Sequence, residues 1–313
     1  MVNKTIVGKY TIYSLLDHLD TIDVFINDMK QYWTEPDKVD QYANQMKTQV
    51  LKCSDPNSKV RGLVAFDNEI PVGICWTEVS NKHYGHFTIH TIDDDSATAL
   101  IQEMINQKHF DQALLELVQI KETPIYRDTC LSFKLIENER KRMACWLDKD
   151  VIYDEPDDDI EFFHMSLDTC DLTGKMSYDA HQVSHDYDMY PEMNNLNNRI
   201  ALEKRVFGGL YGKVISETSI MAGKGSEIYG YILYVEVSSW GFEKIPWIFD
   251  IVVNPAIHGM GVGRRLLTKT LNKLTEMDYP IVGLAVSLNN VYAIRLYEKL
   301  RFIDSDIFYE YIQ

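Results

Sequence analysis

The sequence predicts an α/β fold built twice along one chain, and three observations lead there. Helical periodicity and strand alternation trade places twice, in similar order. The length of 313 residues suits two domains of ordinary size. Between the halves, Asp154-Glu-Pro-Asp-Asp-Asp159 is a polar, proline-containing acidic run that reads as a linker. The expected domains are therefore 1–153 and 160–313.

In the first half, Leu15 to about Trp33 reads as a helix, with Leu16, Ile22, Phe25, Ile26 and Met29 on one face. Leu63–Phe66 and Val72–Val79 read as strands joined by a turn at Asp67-Asn68. Phe87–Ile92 is a third strand, and Ala97–Asn106 a helix. In the second half, Asp179–Phe207 reads as a helical region broken at Pro191. Ile220–Ala222 and Glu227–Val237 form a hairpin around Gly223-Lys-Gly-Ser, and Trp247–Val253 is a strongly β-forming strand. A helix from Gly263 to Met277, a strand Ile281–Val286, a helix Asn290–Leu300 and a strand Ile307–Ile312 close the chain.

Composition excludes several classes. Hydrophobic residues at 45% and charged residues at 25% describe a folded chain, not a disordered one. A formal charge of 31 − 47 = −16 argues against nucleic acid as a partner, because phosphate binding needs Lys and Arg. The five cysteines show no C-x-x-C pair, which speaks against a disulfide framework and against a cysteine-built zinc site. His181-x-x-x-His185 lacks a neighbouring Glu and a third ligand, so no metal is expected. The N-terminus has no signal-peptide core, and no window approaches about 18 apolar residues. A cytoplasmic protein with no membrane partner is the expectation.

Chemistry concentrates in Val253-Asn-Pro-Ala-Ile-His258-Gly259-Met260-Gly261-Val262-Gly263-Arg264-Arg265. A strand runs into a proline, a glycine-rich turn and a helix whose Val262, Leu266, Leu267, Leu271 and Leu274 share one face. Glycines allow close backbone approach, and free N–H groups at a helix N-terminus attract an anion. The stretch reads as a phosphate cradle, with Arg264 and Arg265 near enough to help neutralise it. Its G-x-G-x-G spacing is not the dinucleotide fingerprint, and Gly208-Gly-Leu-Tyr-Gly-Lys213 is not a P-loop.

A second block, Asn290-Val-Tyr-Ala293-Ile-Arg-Leu296-Tyr297-Glu-Lys-Leu300-Arg301-Phe302, also follows a strand and opens a helix, with Asn290 as N-cap. Together the two blocks resemble the GNAT superfamily of N-acetyltransferases. That family carries V-x-P-x-x-[RQ]-G-x-G-[IV]-G-x-x-L, followed by N-x-x-A-x-x-L-Y-x-x-x-G-F. The resemblance implies a mixed, mostly antiparallel sheet flanked by helices, here in two tandem copies. It also implies acetyl-CoA as co-substrate. Backbone groups of Ile251, Val252 and Val253 would pair with its pantetheine arm. The turn His258, Gly259, Met260, Gly261, Val262 and Gly263, with Arg264, would hold its pyrophosphate, and Asn290 would contact the arm. Tyr297 would protonate the leaving thiolate after direct amine attack through a tetrahedral intermediate. Asp250 and Glu236 are the candidate general bases. Two departures stand out: His258 replaces Arg or Gln, and Arg301 replaces the Gly that would end the helix, so a different helix end is expected.

The first half carries Asp93-Asp94-Asp95-Ser96 where the glycine turn would come, and carboxylates there would repel a pyrophosphate. It is expected to be a degenerate copy. The function implied is acetyl transfer to a primary amine on a small molecule. A protein or peptide acceptor, or a non-catalytic acyl-CoA-binding protein, are the alternatives. Asp148 to Asp188 holds 13 acidic residues against two lysines, and the resemblance implies that acceptor-facing helices follow there, so this charge would favour a cationic acceptor. Raising salt from low to physiological strength should therefore raise the apparent KM for a cationic amine severalfold, as steady-state kinetics would show.

Overall fold

The computed structural model describes residues 4–80, 84–107, 114–154, 159–184, 186–190 and 194–312. Most of the acidic run, together with His185 and Pro191, lies outside the described residues. In chain order the strands are β1 (Lys4–Val7), β2 (Tyr10–Ser14), β3 (Val60–Asp67), β4 (Ile70–Ser80), β5 (Tyr84–Thr91), β6 (Leu114–Gln119), β7 (Ile136–Trp146), β8 (Glu161–His164), β9 (Ile220–Lys224), β10 (Glu227–Ser239), β11 (Phe242–Val253), β12 (Ile281–Ser287) and β13 (Ile303–Ile312). The helices are α1 (Ile22–Met29), α2 (Val39–Leu51), α3 (Ser96–Asn106), α4 (Pro124–Ser132), α5 (Cys170–His181), α6 (Leu196–Phe207), α7 (Val262–Glu276) and α8 (Val291–Lys299). Two compact units emerge, residues 1–138 with 308–313, and residues 139–307.

The first unit has strands β1 to β6 in sequence order, antiparallel through β5 and then parallel from β5 to β6. Leu15, Phe25, Ile26 and Met29 pack with Val64, Ile74 and Trp76 on one face; Leu100, Ile101 and Tyr126 pack with Cys75, Phe87 and Ile89 on the other. The single helix expected over Leu15–Trp33 is instead a 3-10 segment, Leu15–Thr21, kinked at His18, followed by α1. The kink rephases the turn, so Leu15 is buried and Leu16 is exposed. Helix α2 carries no strong apolar stripe and is not evident in the sequence.

The second unit repeats the order. Strands β8, β9, β10 and β11 are antiparallel, β11 meets β12 in parallel, and β12 pairs with β7. Leu266, Leu267, Leu271, Leu274 and Ile294 cover one face against Ile232, Tyr234 and Ile248, as the apolar spacing in α7 predicts. Leu202 and Val206 of α6 cover the other face against Tyr231, Leu233 and Val252. Helix α5 begins at Cys170, ahead of the Asp179 expected, and α6 starts behind Asn195, whose side chain accepts from Asn198 N–H. Arg301 is the second surprise. It adopts φ +68 and ends α8 in the left-handed turn that glycine would supply, with Phe302 N–H reaching Tyr297 O at 3.0 Å.

The domain boundary also differs from 153/160, for a topological reason. The last antiparallel strand of each unit comes from the other half of the sequence. Tyr309–Ile312 of β13 pairs with Leu114–Leu117 in the first unit, and Arg140–Trp146 of β7 pairs with Ile281–Ser287 in the second. A cut at 153–160 therefore strips β12 of its antiparallel partner, β7. A fragment 139–307 should melt cooperatively, whereas 160–313 should aggregate or melt without a sharp transition, as circular dichroism on heating would show.

Candidate functional site

The site is organised by a parting of strands. β11 and β12 share one register pair, Trp247 with Gly283, before they separate. Phe249 is an extra residue in β11, bulged between the pairs Tyr234/Ile248 and Leu233/Asp250. Beyond it, Asn254 N–H donates to Tyr229 O at 2.8 Å. Antiparallel alternation then turns the peptide groups of Val252 toward Tyr231, and those of Ile251 and Val253 toward the gap. Of the three residues expected to pair with a pantetheine arm, Ile251 and Val253 present that edge; Val252 faces the ladder. A strand interior left open in this way is a slot for a ligand carrying amides of its own.

The glycine turn closes one end of the slot. Asn254 caps a short 3-10 turn over Pro255–Ile257 by accepting from Ala256 N–H at 3.0 Å. Gly259 and Gly261 both have positive φ, and Gly261 is the residue directly before α7. The first N–H groups of α7 have no acceptor inside the helix and point into the turn. Arg265 Nη1 donates to Met260 O at 2.6 Å and braces the loop, while Arg264 is exposed. His258 Nε2 lies 3.0 Å from Val253 O, so this imidazole ties the turn back to the strand. That contact fits His258 as a brace more closely than as a fixed charge.

Helix α8 supplies the next groups. Asn290 accepts from Ala293 N–H at 3.3 Å as N-cap. The Tyr297 ring is buried against the α7 cluster, and its hydroxyl has no hydrogen-bond partner among the described residues. Burial pushes its phenol up, and the charge of Asp250 adds to that, so it is a proton donor at neutral pH.

The two candidate bases separate. Glu236 accepts from Tyr279 Oη at 2.6 Å and pairs in register with Pro246, before the strands part. It is not at the gap. Asp250 pairs with Leu233 just past the bulge and sits in a polar cluster on the α5–α6 face. Its Oδ2 accepts from Ser177 Oγ at 3.1 Å, from Tyr231 Oη at 2.6 Å and from Arg199 Nη2. Tyr231 Oη is also 2.7 Å from Glu203 Oε1. Burial opposes the charge on Arg199, and Asp250, Tyr231 and Glu203 more than offset it. His181, at the end of α5, is pushed below the usual imidazole range by burial and by Arg199. Arg199, Glu203, Tyr231 and Ser177 were not evident as site residues. The one sequence signal was Asp250 itself, a carboxylate in an apolar strand.

The first unit lacks this arrangement. Its parallel strands β5 and β6 stay paired over six register positions, Tyr84/Leu114 to Ile89/Gln119. Asp93 accepts from Tyr10 Oη at 2.6 Å and from Lys9 at 3.2 Å, and Asp94 from Lys121 at 2.7 Å. Among the described residues no group of three or more His, Cys, Asp or Glu is placed to hold a metal, and no helix is long and apolar enough to cross a membrane.

Residues 191–302, which span the gap, the glycine turn and α8, match the Acetyltransferase (GNAT) family. Over that stretch the second unit is similar to GNAT acetyltransferases. The fold of the whole chain is similar to a GCN5-related N-acetyltransferase from Sphaerobacter thermophilus, at TM-score 0.58 and 10% identity, over 99% of this chain and 96% of that one. It is also similar to a tandem GNAT protein from the clavulanic acid biosynthesis pathway, at TM-score 0.52 and 9% identity, over 97% and 98%. No curated protein matches the chain in sequence. At these identities the likeness shows the GNAT fold, while the family match ties the second unit to acyl transfer.

The geometry of the glycine turn gives a contrast between neighbours. A Cβ on Gly261 would meet Arg265 Nη1 at 2.8 Å at φ +79, whereas one on Gly263 makes ordinary contact at 3.4 Å or more. Gly261→Ala should therefore cost about 1–2 kcal/mol and Gly263→Ala be near neutral, as urea unfolding would show.

Proposed function

We propose that the protein is an acetyl-CoA-dependent N-acetyltransferase acting on a primary amine of a small, cationic molecule. The observation that carries this reading is the open edge of β11 beside the glycine turn, with Tyr297 on α8, a buried ring whose hydroxyl has no hydrogen-bond partner among the described residues. Acetyl-CoA fits those residues: Ile251 and the N–H of Val253 offer peptide groups to its amide-bearing arm, the Val253 carbonyl being held by His258, and the turn from His258 to Gly263 with Arg264 offers amides and charge to its pyrophosphate. Bound there, it would supply an activated acetyl group. The chain's own residues do the rest. Asp250 accepts a proton from the ammonium so that the amine can attack directly, and Tyr297 donates a proton to the departing sulfur.

The first unit, with its paired β5 and β6 and its carboxylates at the corresponding turn, is read as a degenerate copy that binds no acetyl-CoA. The acidic stretch that runs into α5 supports a cationic acceptor. Among the described residues, Lys175, Lys204 and Lys224 pair with Asp179, Asp171 and Asp159 of it.

Acetyl-CoA binding by calorimetry, followed by thiol release with a panel of small amines, tests the reading. Tyr297→Phe should bind acetyl-CoA like wild type and lower kcat by about 10²-fold. A kcat near wild type across a pH profile would remove Tyr297 as the acid. Thiol release with peptides alone would move the acceptor to a protein, and binding without release would leave a non-catalytic acyl-CoA-binding protein.

A further inference from the structure

The cluster around Asp250 needs one more proton than its donors supply. Tyr231 Oη stands 2.6 Å from Asp250 Oδ2 and 2.7 Å from Glu203 Oε1, and a phenol has one proton to give. Two carboxylate oxygens at hydrogen-bond distance from one hydroxyl require that one of the carboxyls be protonated. The cation decides which. Arg199 Nη2 is bonded to Asp250 Oδ2 and lies 3.9 Å from Glu203 Oε1. Glu203 is fully buried, and its Oε2 has no hydrogen-bond partner among the described residues. The extra proton therefore sits on Glu203. Burial pushes that carboxyl up to about 7, with Arg199 pulling the other way.

Asp250 is used on one side only. All three of its donors reach Oδ2, and among the described residues none reaches Oδ1. With a side chain 20% exposed, Oδ1 is open to a substrate. When it takes the acceptor's proton, an N–H bond breaks and an Oδ1–H bond forms; ammonium becomes amine and Asp250 becomes neutral. Arg199, 11% exposed, then loses the charge of Asp250 in a nearly buried place, a cost that another anion within reach would offset. Glu203, four residues along α6, is within reach.

We infer that Glu203 is the second counter-ion of Arg199, and that it must be ionised before Asp250 can accept a proton from the acceptor amine. This rests on the proposed transfer to an amine. Glu203 touches no substrate and is a positioning residue. The ionisable groups facing the cluster are Arg199 from α6, Tyr231 from β10, Asp250 from β11, and Cys170 and His181 from α5. Burial holds the Cys170 thiol up at about 11, and His181 is neutral, so neither adds charge near neutral pH. Turnover should therefore rise with pH as Glu203 ionises.

Glu203→Gln keeps a hydrogen bond to Tyr231 but mimics the protonated acid permanently. Infrared difference spectra of the unliganded protein between about pH 5 and 9 should show a buried carboxylic-acid band in wild type that is lost near neutral pH, and no such band in E203Q. In kinetics, E203Q should lower kcat at least about tenfold and lose the neutral limb of the pH profile, with KM for acetyl-CoA unchanged. Glu203→Asp, still ionisable, should restore the limb at a shifted midpoint. A missing band in wild type, or a wild-type pH profile in E203Q, overturns the inference while leaving acetyl transfer standing. A band with no transfer to any amine removes the proposed function, and the role of Glu203 falls with it.

Discussion

Everything at the site depends on β11 and β12 ceasing to pair after Trp247 and Gly283. The close approach at that point needs glycine: a Cβ on Gly283 would meet the Trp247 ring at 2.5 Å and Trp240 at 2.8 Å. Trp240 packs on Trp247 with ring centroids 5.4 Å apart, so the last paired position is fixed from the side. From there the bulge at Phe249 turns β11 away, and the peptide groups of Ile251 and the N–H of Val253 are left for a ligand. An open strand edge inside a sheet is stable only where something else satisfies it, which is why the capped turn and α7 lie at its end. The first unit shows the alternative: with β5 and β6 paired and Asp93 and Asp94 bonded within the unit, the same order of strands offers no slot.

How much of this could be read from the sequence follows from the range of the interactions. The glycine turn, α7 and the Asn290 cap are local, made by residues within a few positions of each other, and they stand where the pattern puts them. Arg301 shows the limit of a local rule. The turn it makes is the glycine turn, kept because Phe302 N–H and Arg301 N–H both find carbonyls of α8, at a conformational cost of about 1 kcal/mol to the non-glycine residue. The boundary at 153–160 missed a long-range fact, since the pairing of β7 with β12 joins segments some 140 residues apart in register. The helix over Leu15–Trp33 missed a kink that no glycine or proline announces. Asp250 was legible as an anomaly, but its partners come from α5, α6 and β10, so whether it was bonded or available could not be seen from β11 alone.

The charge of the chain takes on a different meaning at this resolution. The acidic residues between Asp148 and Asp188 are in part paired on the surface, Asp171 with Lys204, Asp179 with Lys175 and Asp159 with Lys224. Surface pairs of this kind add little stability. Asp250 and Glu203, the carboxylates of the proposed mechanism, lie outside that stretch and share one arginine, Glu203 fully buried and Asp250 20% exposed. A net charge describes the approach of a ligand; the buried pair describes what can happen on arrival.

The two faces of β11 then divide the labour. Ile251 and Val253 point with α7 and α8, on the side of Tyr297, whereas Val252 points with α5 and α6 on the side of Asp250 and its cluster. The proton donor and acceptor of the proposed mechanism would stand on opposite faces of one strand and could not both serve a ligand lying on either face. They can serve one that occupies the gap in the sheet, entered by an acyl donor from the α7–α8 side and by an amine from the α5–α6 side. On this reading the parted strands do more than hold an arm of a co-substrate. In the proposed function they are an opening through which groups on both faces of the sheet would reach the same bond, and pairing of the kind seen between β5 and β6 would remove that shared access even with the helices around it kept.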